Sequence, residues 1–335
     1  NFKDKRNWLS FLAGAILVFA YAPFSLWWLP FIVLPLWFIN ISRIEEKGLK
    51  KESAKQGFLF GFGWFCSGVS WVHVAIDEFG GMPLIASLGL MLLLCAYLAI
   101  YPALACCLSS LLSRRKAINL WVFPFVWFCT EYLRGTVLTG FPWLSFGYSQ
   151  IDGPLAALAP AIGEVGITFA LILICICIAK LIQRSETLVS AGLLTAALIG
   201  ILSLQNAQWV QPTGKTVKIA LVQGNIEQSL KWQPEQEWPT MLKYLDLSRV
   251  NYDADILIWP ESAVPVLEPT AQDYLDMVNR SAALNDSAII TGIQNYNIDT
   301  KEYFNGLIVT GKKYEDDVDG SYDYNSPNRY YKNHL

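Results

Sequence analysis

A chain of 335 residues is long enough for two domains. Hydrophobic residues make up 53% and charged residues 16%, against about 25% charged in soluble domains, which excludes an ordinary soluble protein for the chain as a whole. The deficit is uneven. Residues 1–205 are mostly long apolar runs with a formal charge of +4, whereas residues 206–335 have a soluble composition and a charge of −7. The second part carries no basic stripe, which argues against nucleic acid as a partner.

All seven cysteines (Cys66, Cys95, Cys106, Cys107, Cys129, Cys175 and Cys177) lie in the apolar part. In apolar helices they read as small hydrophobes rather than disulfides or ligands. No cluster has metal-ligand spacing, and neither a metal nor another cofactor is predicted.

Apolar stretches of about 20 residues are long enough to cross a bilayer. We place seven spans, near residues 8–21, 26–41, 54–76, 83–112, 118–133, 155–182 and 188–204. The first two are short, and Pro23, Pro30 and Pro35 can shift their ends or make them re-entrant. The stretch 83–112 exceeds one crossing and contains Pro102, which predicts tilt or a kink. One set of loops holds Lys3, Lys5, Arg6, then Arg43, Lys47, Lys50, Lys51, Lys55, then Arg114, Arg115, Lys116, then Lys180 and Arg184; the alternate loops hold only Arg134. The positive-inside rule therefore puts Asn1 in the cytoplasm, and an odd number of crossings exports everything after Gln205. Trp8 opens a span rather than a cleavable leader, because no A-x-A-like site precedes a soluble stretch. The chain starts at Asn1 rather than methionine, which suggests a trimmed N-terminus.

Glu131 and Arg134 lie one helical turn apart at the outer end of the fifth span. They read either as functional ionisable groups at membrane depth or as a mutual ion pair. The loop after them, Thr139-Gly140-Phe141-Pro142-Trp143, is rigid and aromatic, as interfacial anchors are. His73, near a span end, reads as a satisfied or interfacial histidine.

The second part alternates strand and helix: strand 216–226, helix 234–251 with Pro234 suited to its first turn, strand 255–259, helix 270–284, and strands 287–294 and 303–310. That order predicts a sheet with helices on a face. Residues 312–327 read as an exposed acidic loop, and no helix or closing strand is read after them. Within this pattern, Asp255-Ile256-Leu257-Ile258 forms a short buried strand stopped by Trp259-Pro260. Glu261 then falls just past the carboxyl end of a central strand, where open α/β sheets commonly carry their chemistry. Beside an apolar run, a carboxylate there is expected to be desolvated and to serve as a general base. A solvated turn glutamate is the plain alternative.

Several fragments, taken in order, resemble the bacterial apolipoprotein N-acyltransferases, membrane enzymes that carry a nitrilase-like domain. They are Glu131-Tyr132-Leu133-Arg134-Gly135, Gly140-Phe141-Pro142-Trp143 and Gly153-Pro154 in the apolar part. In the second part they are Val222-Gln223-Gly224-Asn225-Ile226, Lys231-Trp232, Trp259-Pro260-Glu261 and Tyr331-Lys332-Asn333-His334-Leu335. The resemblance implies a multi-span helical membrane domain (1–205) followed by an α/β nitrilase-like domain of αββα sandwich type (206–335) on the periplasmic side of the bacterial inner membrane. It also implies a Glu-Lys-Cys triad in which Glu261 matches the general base and Lys332 the lysine, and Trp232 matches a tryptophan of functional importance in the family. Trp232 and Trp143 are the candidate substrate-binding residues, with an apolar core anchor as the alternative for Trp232, and His334 reads as structural. The implied reaction passes an acyl chain from a phospholipid, phosphatidylethanolamine foremost, to the cysteine as a thioester. The chain then passes to the N-terminal amine of a diacylated apolipoprotein.

The residue types suit this chemistry. A thioester divides one difficult acyl transfer into two easier ones, a carboxylate takes the thiol proton, and an ammonium stabilises each oxyanion. A site attached to the membrane suits lipid substrates, since burial of their chains is worth about 0.8 kcal/mol per CH₂. The implied cysteine should follow the lysine, whereas the sequence ends three residues past Lys332. The sequence is thus expected to be C-terminally incomplete and inactive alone, with an exposed sheet edge. A membrane-tethered nitrilase-like amidase and an inactive lipid- or lipoprotein-binding fragment are the alternative readings.

Overall fold

The computed structural model describes residues 2–44, 48–113, 118–298, 300–314, 316–324 and 326–332. Lys47, Arg114, Arg115 and Lys116 of the basic loops, and His334, lie outside the described residues. The chain forms two compact units, Asn1–Val210 and Gln211–Leu335.

The first unit is helical, with α1 (Phe2–Ile16), α2 (Pro30–Ser42), α3 (Leu49–Gly68), α4 (Leu84–Leu111), α5 (Phe123–Thr136), α6 (Ala159–Ile182) and α7 (Thr187–Leu204). Among the described residues three stretches, Leu84–Leu111, Pro154–Ile182 and Thr187–Leu204, are long and apolar enough to cross a membrane. A fourth arises if α3 and Val72–Phe79, bent by 59° at their junction, count as one span. The other three stretches placed as spans hold α1, α2 and α5, which have 15, 13 and 14 residues, short of the ~20 a straight crossing takes. α4 continues through Pro102 without a break. α7 buries only Ser190, while Leu188, Leu198, Ile199 and Leu202 stand exposed. A helix that is apolar on every side yet uncovered by protein belongs in lipid.

Glycines let α3 approach its neighbours backbone to backbone. A Cβ at Gly57 would lie 2.4 Å from the Pro102 carbonyl oxygen, and one at Gly61 2.9 Å from the Pro102 ring. Against α1, a Cβ at Gly14 would lie 1.9 Å from the Phe60 carbonyl oxygen, and one at Gly63 2.2 Å from that of Phe11. Helices in lipid associate through such close packing because no hydrophobic force drives them together. The core between them is aromatic: Trp37 stacks on Phe60 at 4.0 Å, and Trp64 and Trp127 both stack on Phe146, at 4.5 and 5.0 Å.

The second unit is an α/β layer. Its strands are β1 (Ile219–Leu221), β2 (Ile256–Ile258), β3 (Val264–Leu267), β4 (Ala288–Asn297), β5 (Glu302–Gly311) and β6 (Arg329–Tyr331), with helices α8 (Pro234–Arg249) and α9 (Gln272–Leu284). The sheet order is β1-β2-β4-β5-β6; β1, β2 and β4 run parallel, and β5 and β6 continue antiparallel. β3 and β6 were not read from the sequence, and both are only three or four residues long. One face of the sheet packs Leu257, Ile289, Ile293 and Ile308 against Tyr244 and Leu245 of α8 and Leu275 and Val278 of α9. The two helices share that face, since the Tyr274 hydroxyl donates to the Met241 carbonyl at 2.8 Å. The other face leaves Leu221, Leu307 and Tyr330 exposed. An αββα sandwich sets a second sheet against such a face; among the described residues there is one sheet.

Candidate active site

β4 is the element that builds the site. Its first half pairs with β2 (Ile256↔Ala288, Ile258↔Ile290), and its second half pairs with β3 (Val264↔Ile293). The chain from β2 to β3 therefore leaves the sheet at Trp259 and rejoins it at Val264, arching over the middle of β4. Gly292 makes room for the arch: a Cβ there would lie 2.7 Å from both the Glu261 Cα and the Ser262 nitrogen. Ser262 turns the arch with a φ of 50°. Trp259 anchors its entry, 3% exposed, with its backbone N–H donating to Ile290 at 2.8 Å and Nε1 to the Ser248 hydroxyl at 2.9 Å. The arch presents Glu261 at the carboxyl end of β2, as the sequence placed it.

Lys332 reaches the same point from β6. Its Nζ stands 3.7 Å from Glu261 Oε1. Asn305 of β5 joins the two, donating Nδ2 to Glu261 Oε1 while its carbonyl accepts the Lys332 backbone N–H at 2.9 Å. Trp259, Glu261, Gly292, Asn305, Gly306, Leu307, Tyr330 and Lys332 line a cavity of about 270 Å³. The Glu261 side chain is 66% exposed, so the expected desolvation is not present: the arch lifts it clear of the apolar strand. Its surroundings are set instead by a cation and an amide donor. Asn305 escaped the sequence reading; the one signal was an amide interrupting the apolar run Tyr303–Val309.

A second cavity, also about 270 Å³, lies across the arch and includes Gln223, Asn225, Gln228, Lys231, Glu261 and Ser262. Lys231 Nζ donates to the Glu261 carbonyl at 3.2 Å and sits 5.5 Å over the ring of Trp232. Trp232 is 47% exposed, which leaves its ring available for contact rather than buried as a core anchor.

In the helical unit, Glu131 and Arg134 do pair, and the pair has a further role. Arg134, 1% exposed, donates Nη1 to the carbonyls of Phe141 at 2.5 Å and Trp143 at 2.7 Å. Glu164, which the sequence reading passed over, holds the next residues: its Oε1 accepts from the Ser145 hydroxyl, the Gly147 N–H at 3.1 Å and the Thr168 hydroxyl at 2.8 Å. The loop is clamped from both ends and presents Trp143 half exposed, 6.2 Å from Trp71. His73 is satisfied by the Ser70 carbonyl. Four of the seven cysteines are buried and none is in a disulfide.

These features define a protein that joins an apolar, membrane-type helical unit to a mixed α/β domain with a carboxylate–lysine cleft. Residues 13–177 match the family model for the apolipoprotein N-acyltransferase N-terminal domain, and residues 218–335 match that for carbon-nitrogen hydrolase. The chain is 43% identical to the apolipoprotein N-acyltransferase of Shewanella oneidensis, over 98% of its own length and 63% of that protein. It is 45% identical to the enzyme of Vibrio cholerae (96% and 62%), and 35% identical to that of Pseudomonas syringae pv. tomato (91% and 62%). The chain belongs to the apolipoprotein N-acyltransferase family. It spans a little over three-fifths of the length of these curated relatives.

Proposed function

We propose that the protein transfers an acyl chain from a phospholipid, phosphatidylethanolamine foremost, to the N-terminal amine of a diacylated apolipoprotein, the last step of lipoprotein maturation. The observation that carries this reading is the Glu261–Lys332 approach at 3.7 Å in a cleft, in a chain of this family. The nucleophile is a cysteine of the whole protein; residues 211–335 contain none. In the first half-reaction its sulfur attacks the ester carbonyl, Glu261 takes the thiol proton, and the C–O bond breaks to release the lysophospholipid, which receives that proton. In the second, the lipoprotein amine attacks the thioester, Glu261 takes a proton from nitrogen, and the C–S bond breaks to return the thiol. Lys332 stabilises the oxyanion of each tetrahedral intermediate.

Asn305 fixes the Glu261 carboxylate toward Lys332, and Trp232 and Trp143 offer exposed indoles for the lipid substrates. The basic loops support an inner-membrane placement with Asn1 cytoplasmic and the α/β unit periplasmic. The reading is tested by incubating the full-length protein with acyl-labelled phosphatidylethanolamine and a synthetic diacylated lipopeptide. Label in the lipopeptide amide is expected; label released only as free fatty acid would make the protein a hydrolase.

A further inference from the structure

The segments that carry Glu261 and Lys332 hold a second carboxylate–cation pair that takes no part in the proposed chemistry. Glu268 is fully buried and Arg329 is 13% exposed, and Arg329 Nη1 stands 3.0 Å from Glu268 Oε2. The same oxygen accepts Asn295 Nδ2 at 2.8 Å, and Oε1 accepts the Tyr322 hydroxyl at 3.1 Å. The other donors of Arg329 gather the approach to β6: Nε donates to the Ser326 carbonyl at 2.9 Å, and Nη2 to the carbonyls of Asp323 at 3.2 Å and Tyr324. Nη1 also donates to the Tyr331 hydroxyl at 3.2 Å, 2.8 Å from Asn295 Nδ2.

Burying two charges is costly, and a well-packed apolar pair commonly holds a fold as well or better. The location of this pair gives it another use. β6 has three residues, and its pairing with β5 covers only Arg329–Tyr331, so that ladder alone holds it weakly. Arg329 lies three residues before Lys332, and Glu268 seven residues after Glu261. The buried pair therefore ties the segment that carries the carboxylate to the segment that carries the ammonium.

We propose that Glu268 and Arg329 are positioning residues that set Lys332 against Glu261 by fixing β6. The inference rests on the functional reading above, in which Lys332 stabilises the oxyanions. A displacement of about 1 Å at a reacting group can cost on the order of a hundredfold in rate, so a partial loosening of β6 should be read in turnover rather than in substrate affinity.

The test is a double-mutant cycle in the full-length protein, following acyl transfer from labelled phosphatidylethanolamine to a lipopeptide under single-turnover conditions. Glu268→Gln should lower the maximal rate about tenfold with half-saturation changed less than about twofold. In a Lys332→Ala background the same substitution should cost less than about twofold, because the residue it acts through is gone. Equal losses in the two backgrounds would overturn the positioning role and leave the functional reading standing. A Lys332→Ala protein as active as the wild type would overturn that reading and the inference with it. If Glu268→Gln fails to fold, Tyr331→Phe decides by the same comparison. It removes one hydroxyl, keeps the ring packed on Phe304, and should lower the maximal rate about threefold only when Lys332 is present.

Discussion

Glu261 combines high exposure with fixed orientation: its side chain is two-thirds exposed, yet Asn305 and Lys332 both address Oε1. Because little of its side chain is buried, Glu261→Gln should change the thermal midpoint by less than about 2 °C, as surface substitutions do. Removing the proposed base should nonetheless lower acyl transfer at least a hundredfold, the usual scale of general-base catalysis. Asn305→Ala deletes the amide donor and should reduce turnover about tenfold, since a hydrogen bond to a charged group is worth ~1.5–3 kcal/mol. Lipopeptide N-acylation rates measured beside circular-dichroism melts check both. A separate prediction concerns alkaline pH. Burial, then the neighbouring Tyr252 and Tyr244, pushes the Tyr274 phenol above its usual range, and burial with Glu268 does the same for Tyr322. A raised phenol adds stability below pH ~10, and that contribution is lost as pH rises beyond it through the folded-state value. Denaturation of the α/β unit should therefore become easier above pH ~10. Tyr274→Phe should flatten that decline while costing about 1 kcal/mol at neutral pH for the hydrogen bond to Met241. The placement of Glu261 and Lys332 was legible in the sequence because a strand stop and a family motif marked them. The contacts of Asn305 and Glu268 were not, because they depend on strand register and on burial that spacing does not encode.

At the scale of elements, β2, α8, α9, β4 and β5 were legible from periodicity and lie within a few residues of the positions read. β3 and β6 were missed because strands of three or four residues leave no period to detect. The Glu261 arch depends on Gly292, and Thr291-Gly292 within an apolar strand was a visible mark of close backbone approach. Gly292→Val should push the arch off β4, destabilise the unit by ~1–3 kcal/mol as overpacking does, and abolish transfer. Urea titration and activity measured together check this. In the helical unit, Gly14→Leu meets backbone rather than a movable side chain. It should separate α1 from α3 and lower the detergent melting point, whereas Gly89→Leu, which meets nothing within 4 Å, should leave it unchanged.

For the whole molecule, composition alone divided the apolar part from the soluble part, and the chain forms two compact units, Asn1–Val210 and Gln211–Leu335. Span lengths were less legible. Hydropathy reads apolar content, whereas the helix lengths and bends that leave three or four of the described helical stretches long and apolar enough to cross a membrane depend on how the chain turns within the unit. The proposed orientation predicts that an alkaline phosphatase reporter fused after residue 210 is active, and that a reporter fused in the basic loop after Ser42 is inactive; the opposite pattern would invert the topology. The most direct test of the central claim is the intact mass of the full-length protein after incubation with phosphatidylethanolamine. The account predicts one added acyl group, removed by hydroxylamine, in the wild type and none in Glu261→Gln. The same adduct in both proteins, or in neither, would contradict it.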